Sequence, residues 1–193
     1  IRMVNVFLNV TRIEAGRFVM NFTTQDANAV LLDVYKQLKP TADLKNVELT
    51  IKPNMKLPMV DIDGDKIRDV LINLTDNAIK YSPKGKVNIS AEVDKENLHV
   101  MIQDSGVGIP SNEVDNLFNK FVRGSGIARV EPNGSGLGLF IAKKIIEGHD
   151  GKIWATSKGE GKGSVFQFII PLKASKEALK KTREFQQRAK KKA

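Results

Sequence analysis

The order of patterned segments predicts an α/β chain with one domain and appended elements. Segments of helical and strand period follow one another along the chain. A length of 193 residues is enough to bury one core. A strongly amphipathic helix around Ile67 runs straight into two alternating strand segments. The absence of cysteine removes disulfides and thiolate metal sites and fits a reducing, cytoplasmic compartment. No apolar run approaches the roughly 18 to 20 residues of a membrane span, and no secretory signal is expected. The start at Ile1 suggests a fragment or processed product of a longer parent. Seven of the nine net positive charges fall between Lys173 and Ala193, so the body is nearly neutral and no nucleic-acid partner is expected.

Taken in order, Met3, Val6, Val10 and Ile13 form a helical stripe, widened by Val4, Phe7 and Leu8 and ended by Gly16. Left bare, that stripe would favour self-association. A second helix is expected from 27 to about 38, capped by Asp26 and stopped before Pro40. Residues 47–51 and 59–62 alternate as strands. The strongest helix follows, with Asp63 or Asp65 at its start, Ser82 and Pro83 beyond its end, and a core face of Ile67, Leu71, Leu74, Ala78 and Tyr81. Strands at 87–93 and 98–103 form a meander about a polar turn. Residues 106–133 lack regular pattern, which marks a functional or disordered loop. Another helix starts at Gly134, Gly136 and Gly138, with Leu139, Ala142 and Ile146 recurring and Ile141 and Ile145 widening the stripe. A closing hairpin at about 151–172 precedes the basic tail, 173–193, read as a solvated helix or unfolded tail.

Three groups of residues could carry chemistry. Asn73, Asn77 and Lys80 share one flank of the Ile67 helix, where an amide oxygen suits Mg²⁺ and an ammonium suits phosphate. Asp104 continues the inward row of Leu98, Val100 and Ile102, so its carboxylate must find hydrogen-bond donors, either in the protein or on a ligand such as an adenine amine. Gly106 and Gly108 just after it let the backbone turn and approach a flat ring. The glycines before the Leu139 helix leave its first amides free for phosphate. Their string is neither a P-loop, which ends in Gly-Lys-Ser/Thr, nor a dinucleotide fingerprint. His149 reads as a helix C-terminal cap, favourable as imidazolium, and His99 as a surface or second-layer residue.

In this order the pieces resemble the ATP-binding catalytic domain of bacterial-type sensor histidine kinases: "NLTDNAIKYS" its asparagine box, "DSGVGIP" its first glycine box, "LFNKFVRG" its phenylalanine box and "GSGLGL" its second glycine box. "VTRIEAGRF" further resembles the end of the second helix of the family's dimerisation and phosphotransfer hairpin. The resemblance implies a two-layer α/β sandwich with a mixed, mostly antiparallel sheet and a mobile ATP lid at about 111–133. Residues 1–20 would end the hairpin, 21–172 would form the catalytic domain and 173–193 the tail. Asp104 would bind the adenine amine beside Gly106 and Gly108, with Tyr81 and Ile109 walling the ring. Asn77 would hold Mg²⁺ with Asn73 beside it, and Lys80 and Arg123 would meet phosphates. Gly134, Gly136, Leu137 and Gly138 would let the lid close and present helix amides, while Phe118 and Phe121 anchor or control it. The implied partners are a phosphoacceptor hairpin and a response-regulator receiver domain, with a homodimer in the parent. The acceptor box is absent, so self-phosphorylation is not expected. Three further classes would carry a similar pocket: a related superfamily ATPase, which places a glutamate where Asn73 stands, an anti-sigma-type serine kinase and a pseudokinase interaction module.

Overall fold

The computed structural model describes residues 2–52, 57–122 and 135–190, with side chains from Leu8 to Gln187 among them. Five strands form the main sheet: β2 (Glu48–Ile51), β4 (Lys86–Asp94), β5 (Asn97–Asp104), β6 (Lys152–Ser157) and β7 (Ser164–Pro171). Their order is β2-β4-β5-β7-β6. Only the β2–β4 pair is parallel, so the sheet is mixed and mostly antiparallel, as expected. Two further strands, β1 (Thr23–Asp26) and β3 (Met59–Ile62), make a separate antiparallel pair. The polar Thr-Thr-Gln-Asp of β1 shows no apolar alternation, and its pairing with β3, through the backbone and the Thr24 hydroxyl to Asp61 at 2.8 Å, makes it a strand.

One face of the main sheet is buried. Val87, Ile89 and Ala91 of β4, Leu98, Val100 and Ile102 of β5, Phe166, Phe168 and Ile170 of β7 and Ile153 and Ala155 of β6 all point into it. This is the period-two pattern of a sheet covered on one side. The cover is α2 (Ala27–Leu44), α3 (Gly64–Lys80) and α4 (Gly138–Glu147), packed as α2 on α3 and α3 on α4. Two layers result.

The helix caps explain where the cover begins. Asp26 accepts from the Asn28 N–H at 2.9 Å and Asp63 from the Lys66 N–H at 3.1 Å, which starts α2 and α3. α2 does not stop before Pro40 but runs through it to Leu44. Pro40 has no N–H to give the Lys36 carbonyl, yet Lys36 and Pro40 are both exposed, and Leu38 and Ala42 carry the buried stripe across the break. Tyr81 is only half-buried and caps α3 instead of joining its core face, and Leu139 is half-buried because α4 turns Phe140, Ile141, Ala142, Ile145 and Ile146 inward.

The two ends of the chain also fold onto this body. α1 (Arg2–Glu14) buries Val10 and packs Ile13 against the core, with Gly16 at φ +63° ending it. At Val10 and Ile13 its stripe is therefore covered by the body and is not a bare surface. The basic tail forms α5 (Lys176–Lys190), the helical one of the two forms expected for it, with Thr182 buried against the body instead of facing solvent.

Candidate functional site

β5 ends at Asp104, 7% exposed at the inward end of its row. Its Oδ1 accepts from the Gly106 N–H at 2.8 Å, the Ser82 hydroxyl at 3.3 Å and the Ser164 N–H at 3.3 Å, and its Oδ2 accepts from the Ser164 hydroxyl. A buried carboxylate without such donors would be costly. Ser164 stands opposite Asp104 in the β5–β7 register, and Ser82 follows α3. Neither serine stands out in the sequence. Ser164 continues the parity of Phe166 and Phe168, so a small polar residue in that inward row is the one readable sign of its role.

The loop after Asp104 is wedged between the end of α3 and the β6–β7 connection. A Cβ on Gly106 would lie 2.1 Å from the Tyr81 carbonyl oxygen and 2.6 Å from the Ser82 hydroxyl. The close approach that requires this glycine is thus to the protein's own backbone, where the Val107 N–H donates to the Tyr81 carbonyl at 3.0 Å. Gly108 reverses the loop, and the buried Ile109 donates its N–H to the Ser157 hydroxyl at 3.0 Å.

Across α3, Asn73 and Asn77 are half-buried on the flank that faces α4. A Cβ on Gly138 would meet Asn73 Oδ1 at 2.3 Å, so only glycine lets the first residue of α4 sit on that side chain. Asn73 Nδ2 is buried without a hydrogen-bond partner. Leu137, fully buried, precedes α4 without any side-chain cap, leaving the first amides of the helix unclaimed by a side chain. Lys80, expected to meet phosphate, stands 3.0 Å from the carboxylate of the buried Asp76, its neighbour one turn back on α3. Among the described residues no three His, Cys, Asp or Glu side chains cluster as a metal site.

The two phenylalanines of the lid base separate in role. Phe118 is buried edge-on to Phe166, with centroids 6.4 Å apart, and anchors the loop. Phe121 is 65% exposed at φ +61°, and its N–H donates to the Gly136 carbonyl at 3.1 Å, tying this loop to the residues just before α4. Lys120 lies over the Phe140 ring and pairs with Glu14 of α1. Arg123 and Gly134, with the rest of the lid, lie outside the described residues.

Neither histidine is free for chemistry. His149 is 4% exposed; its Nδ1 donates to the Ile145 carbonyl at 2.7 Å, and its Nε2 accepts from the Asp63 N–H at 3.0 Å. It caps α4 as expected but as a neutral ring, because Nε2 must be an acceptor and burial pushes its pKa down. His99 is half-buried on the outer face of the sheet, stacked on Trp154 and bonded to Gln167 at 3.0 Å.

Known proteins share this arrangement. The family model described as histidine kinase-, DNA gyrase B- and HSP90-like ATPase matches residues 62–174, from the end of β3 through β7. The chain belongs to that family. Within this ATPase family, the chain is 43% identical over 121 residues to sensor histidine kinase WalK of Bacillus subtilis (strain 168), covering 61% of this chain and 20% of the relative. It is 34% identical over 192 residues to hybrid signal transduction histidine kinase C of Dictyostelium discoideum, covering 93% of this chain and 16% of the relative. The chain thus spans about a fifth of these relatives' length or less. Among solved structures, the catalytic domain of histidine kinase ThkA superposes with a TM-score of 0.70 at 33% identity, over 80% of this chain and 97% of that one. The same kinase in complex with response regulator TrrA matches at 28% identity and a TM-score of 0.70, over 89% of this chain and 48% of that one.

Proposed function

We propose that residues 21–172 are the catalytic domain of a two-component sensor histidine kinase, which transfers the γ-phosphoryl group of ATP to a histidine on a helical hairpin. Residues 1–20 then form the end of the hairpin's second helix. The observation that carries this reading is the contact between Asn73 and Gly138, which sets the uncapped start of α4 on the asparagine flank of α3. A buried amide donor without a partner and a helix start without a side-chain cap fit a phosphate-bearing ligand.

Each residue then has a task. Asp104, held by Ser82, Ser164 and Gly106, accepts a hydrogen bond from the exocyclic amine of adenine, and Tyr81 and Ile109 wall the ring. The amides after Gly136 and Leu137 meet phosphate oxygens, with Gly138 keeping the helix start close to Asn73. Lys80 exchanges Asp76 for phosphate, and Arg123 adds a second cation from the lid. Asn77 would offer its amide oxygen to Mg²⁺, a hard cation that takes oxygen ligands. When bound, the ion supplies charge neutralisation on the phosphates. Phosphoryl transfer needs positioning and electrostatic stabilisation more than covalent help, and these groups supply both.

Both ring nitrogens of His149 are engaged and His99 is stacked against the outer face of the sheet, so the acceptor histidine belongs to another segment. A response-regulator receiver domain is the downstream partner, by analogy with the ThkA complex. The test is incubation with γ-labelled ATP and Mg²⁺, first alone and then with a separate hairpin carrying the acceptor histidine. Acid-labile label is expected on the hairpin and none on this chain. Label on this chain alone, or steady ATP hydrolysis without transfer, would overturn the reading.

A further inference from the structure

α5 lies beyond the residues that the family model matches, yet it is attached to the one connection between α1 and the body. That connection leaves α1 at Gly16 and reaches β1 after Phe22. Thr182 of α5, buried, donates its hydroxyl to the Met20 carbonyl at 2.8 Å. One turn on, the Gln186 side-chain amide donates to Asn21 Oδ1 at 2.7 Å. From the other side, the Asp63 carboxylate accepts the Asn21 N–H at 2.8 Å. Met20 and Asn21 are therefore gripped between α5 and the N-terminus of α3.

The grip is built to open. A cleft of about 510 Å³ separates the connection from α5, lined by Phe18, Val19 and Met20 on one side and Ala178 and Phe185 on the other. Phe185 remains 50% exposed at its edge, so α5 is held more by its two polar clamps than by close apolar packing. Thr182 also has a second acceptor within its own helix, the Ala178 carbonyl at 3.2 Å. When α5 lifts, the hydroxyl keeps a partner and Met20 and Gln186 gain water, so no buried polar group is stranded. The two groups that α5 contributes to the clamp are uncharged, and Lys181 beside them is also attracted by Asp150 of the body.

We propose that α5 is a releasable strap that fixes the angle between α1 and the catalytic body by clamping Met20 and Asn21. The inference rests on this geometry and holds whether or not the chain transfers phosphate. The test is amide hydrogen exchange, followed residue by residue, on the full chain and on the double variant Thr182→Val, Gln186→Ala. Exchange at Asn21 and Phe22 is expected to quicken about thirtyfold in the double variant, the effect of losing two net hydrogen bonds, while β4 and β5 keep their protection. Thr182→Ser, which retains the hydroxyl, should exchange like the parent. Unchanged exchange at Asn21 and Phe22 would overturn the strap. Equal acceleration throughout the sheet would also overturn it, because α5 would then be part of the cooperative core.

Discussion

The corner around Asp104 and the start of α4, the two halves of the proposed site, are built on opposite rules. At Asp104 both carboxylate oxygens are supplied by the protein, from α3, from the glycine loop and from β7. At α4 no side chain caps the first amides, and Asn73 Nδ2 points to no partner. The difference follows from what each half must hold before a ligand arrives. A buried carboxylate must be solvated by something at all times. N–H donors at a helix start can wait at the solvent boundary for an anion. Under the proposed function, recognition of the base is therefore prebuilt, and recognition of the phosphates is left open.

The sharpest way to break this contrast is Asp104→Ala. It strands the Ser164 and Gly106 donors and should cost about 3 kcal/mol of stability in urea unfolding, as buried unsatisfied groups do, and abolish binding of an ATP analogue in calorimetry. Gly138→Ala attacks the open half. Its methyl must displace Asn73, while alanine itself favours the helix, so stability should move by less than about 1 kcal/mol and analogue affinity should fall about tenfold, the loss of one good charge-assisted contact. Asn77→Ala should leave metal-free affinity unchanged and remove most of the gain that Mg²⁺ brings, a change of about fivefold, since one amide ligand among phosphate and water ligands is lost. A Gly138→Ala protein that binds normally would show that the two halves do not share a ligand.

The smallest expected effect concerns neither half. Burial lowers the pKa of His149 below its ordinary value, so the unfolded chain takes up this proton first. The contribution of neutral His149 is complete above about pH 6.5, the ordinary histidine value, and is lost as pH falls through the folded value. His149→Gln should flatten this part of a pH–stability curve measured by thermal unfolding. An unchanged slope would mean that another group titrates there.

Much of this was legible before folding. The inward row that ends in Asp104, the Asn73 to Lys80 flank and the glycines before α4 follow from periods of two and 3.6 residues. What periodicity cannot carry is register and the third dimension. Ser164 meets Asp104 only because β7 pairs with β5 at that offset, whereas Lys80 and Asp76 stand one helical turn apart and their pairing was open to helical spacing. The bridge from His149 to Asp63 joins residues far apart in the chain, so the sequence could suggest the cap and not its neutral state. β1 was invisible because its residues are polar, and the docking of α5 because a basic helix normally faces water.

Pro40 carries a consequence of another kind. In a helix interior a proline commonly costs about 3 kcal/mol, some of it returned because it also stiffens the unfolded chain. Globular domains exceed unfolding by only about 5–15 kcal/mol, so α2 leaves a sizeable share of the attainable margin unused. That share lies in a helix that supplies none of the proposed nucleotide contacts. Only a substitution at Pro40 itself would recover that share and let it offset destabilising changes elsewhere, including those that retune the site.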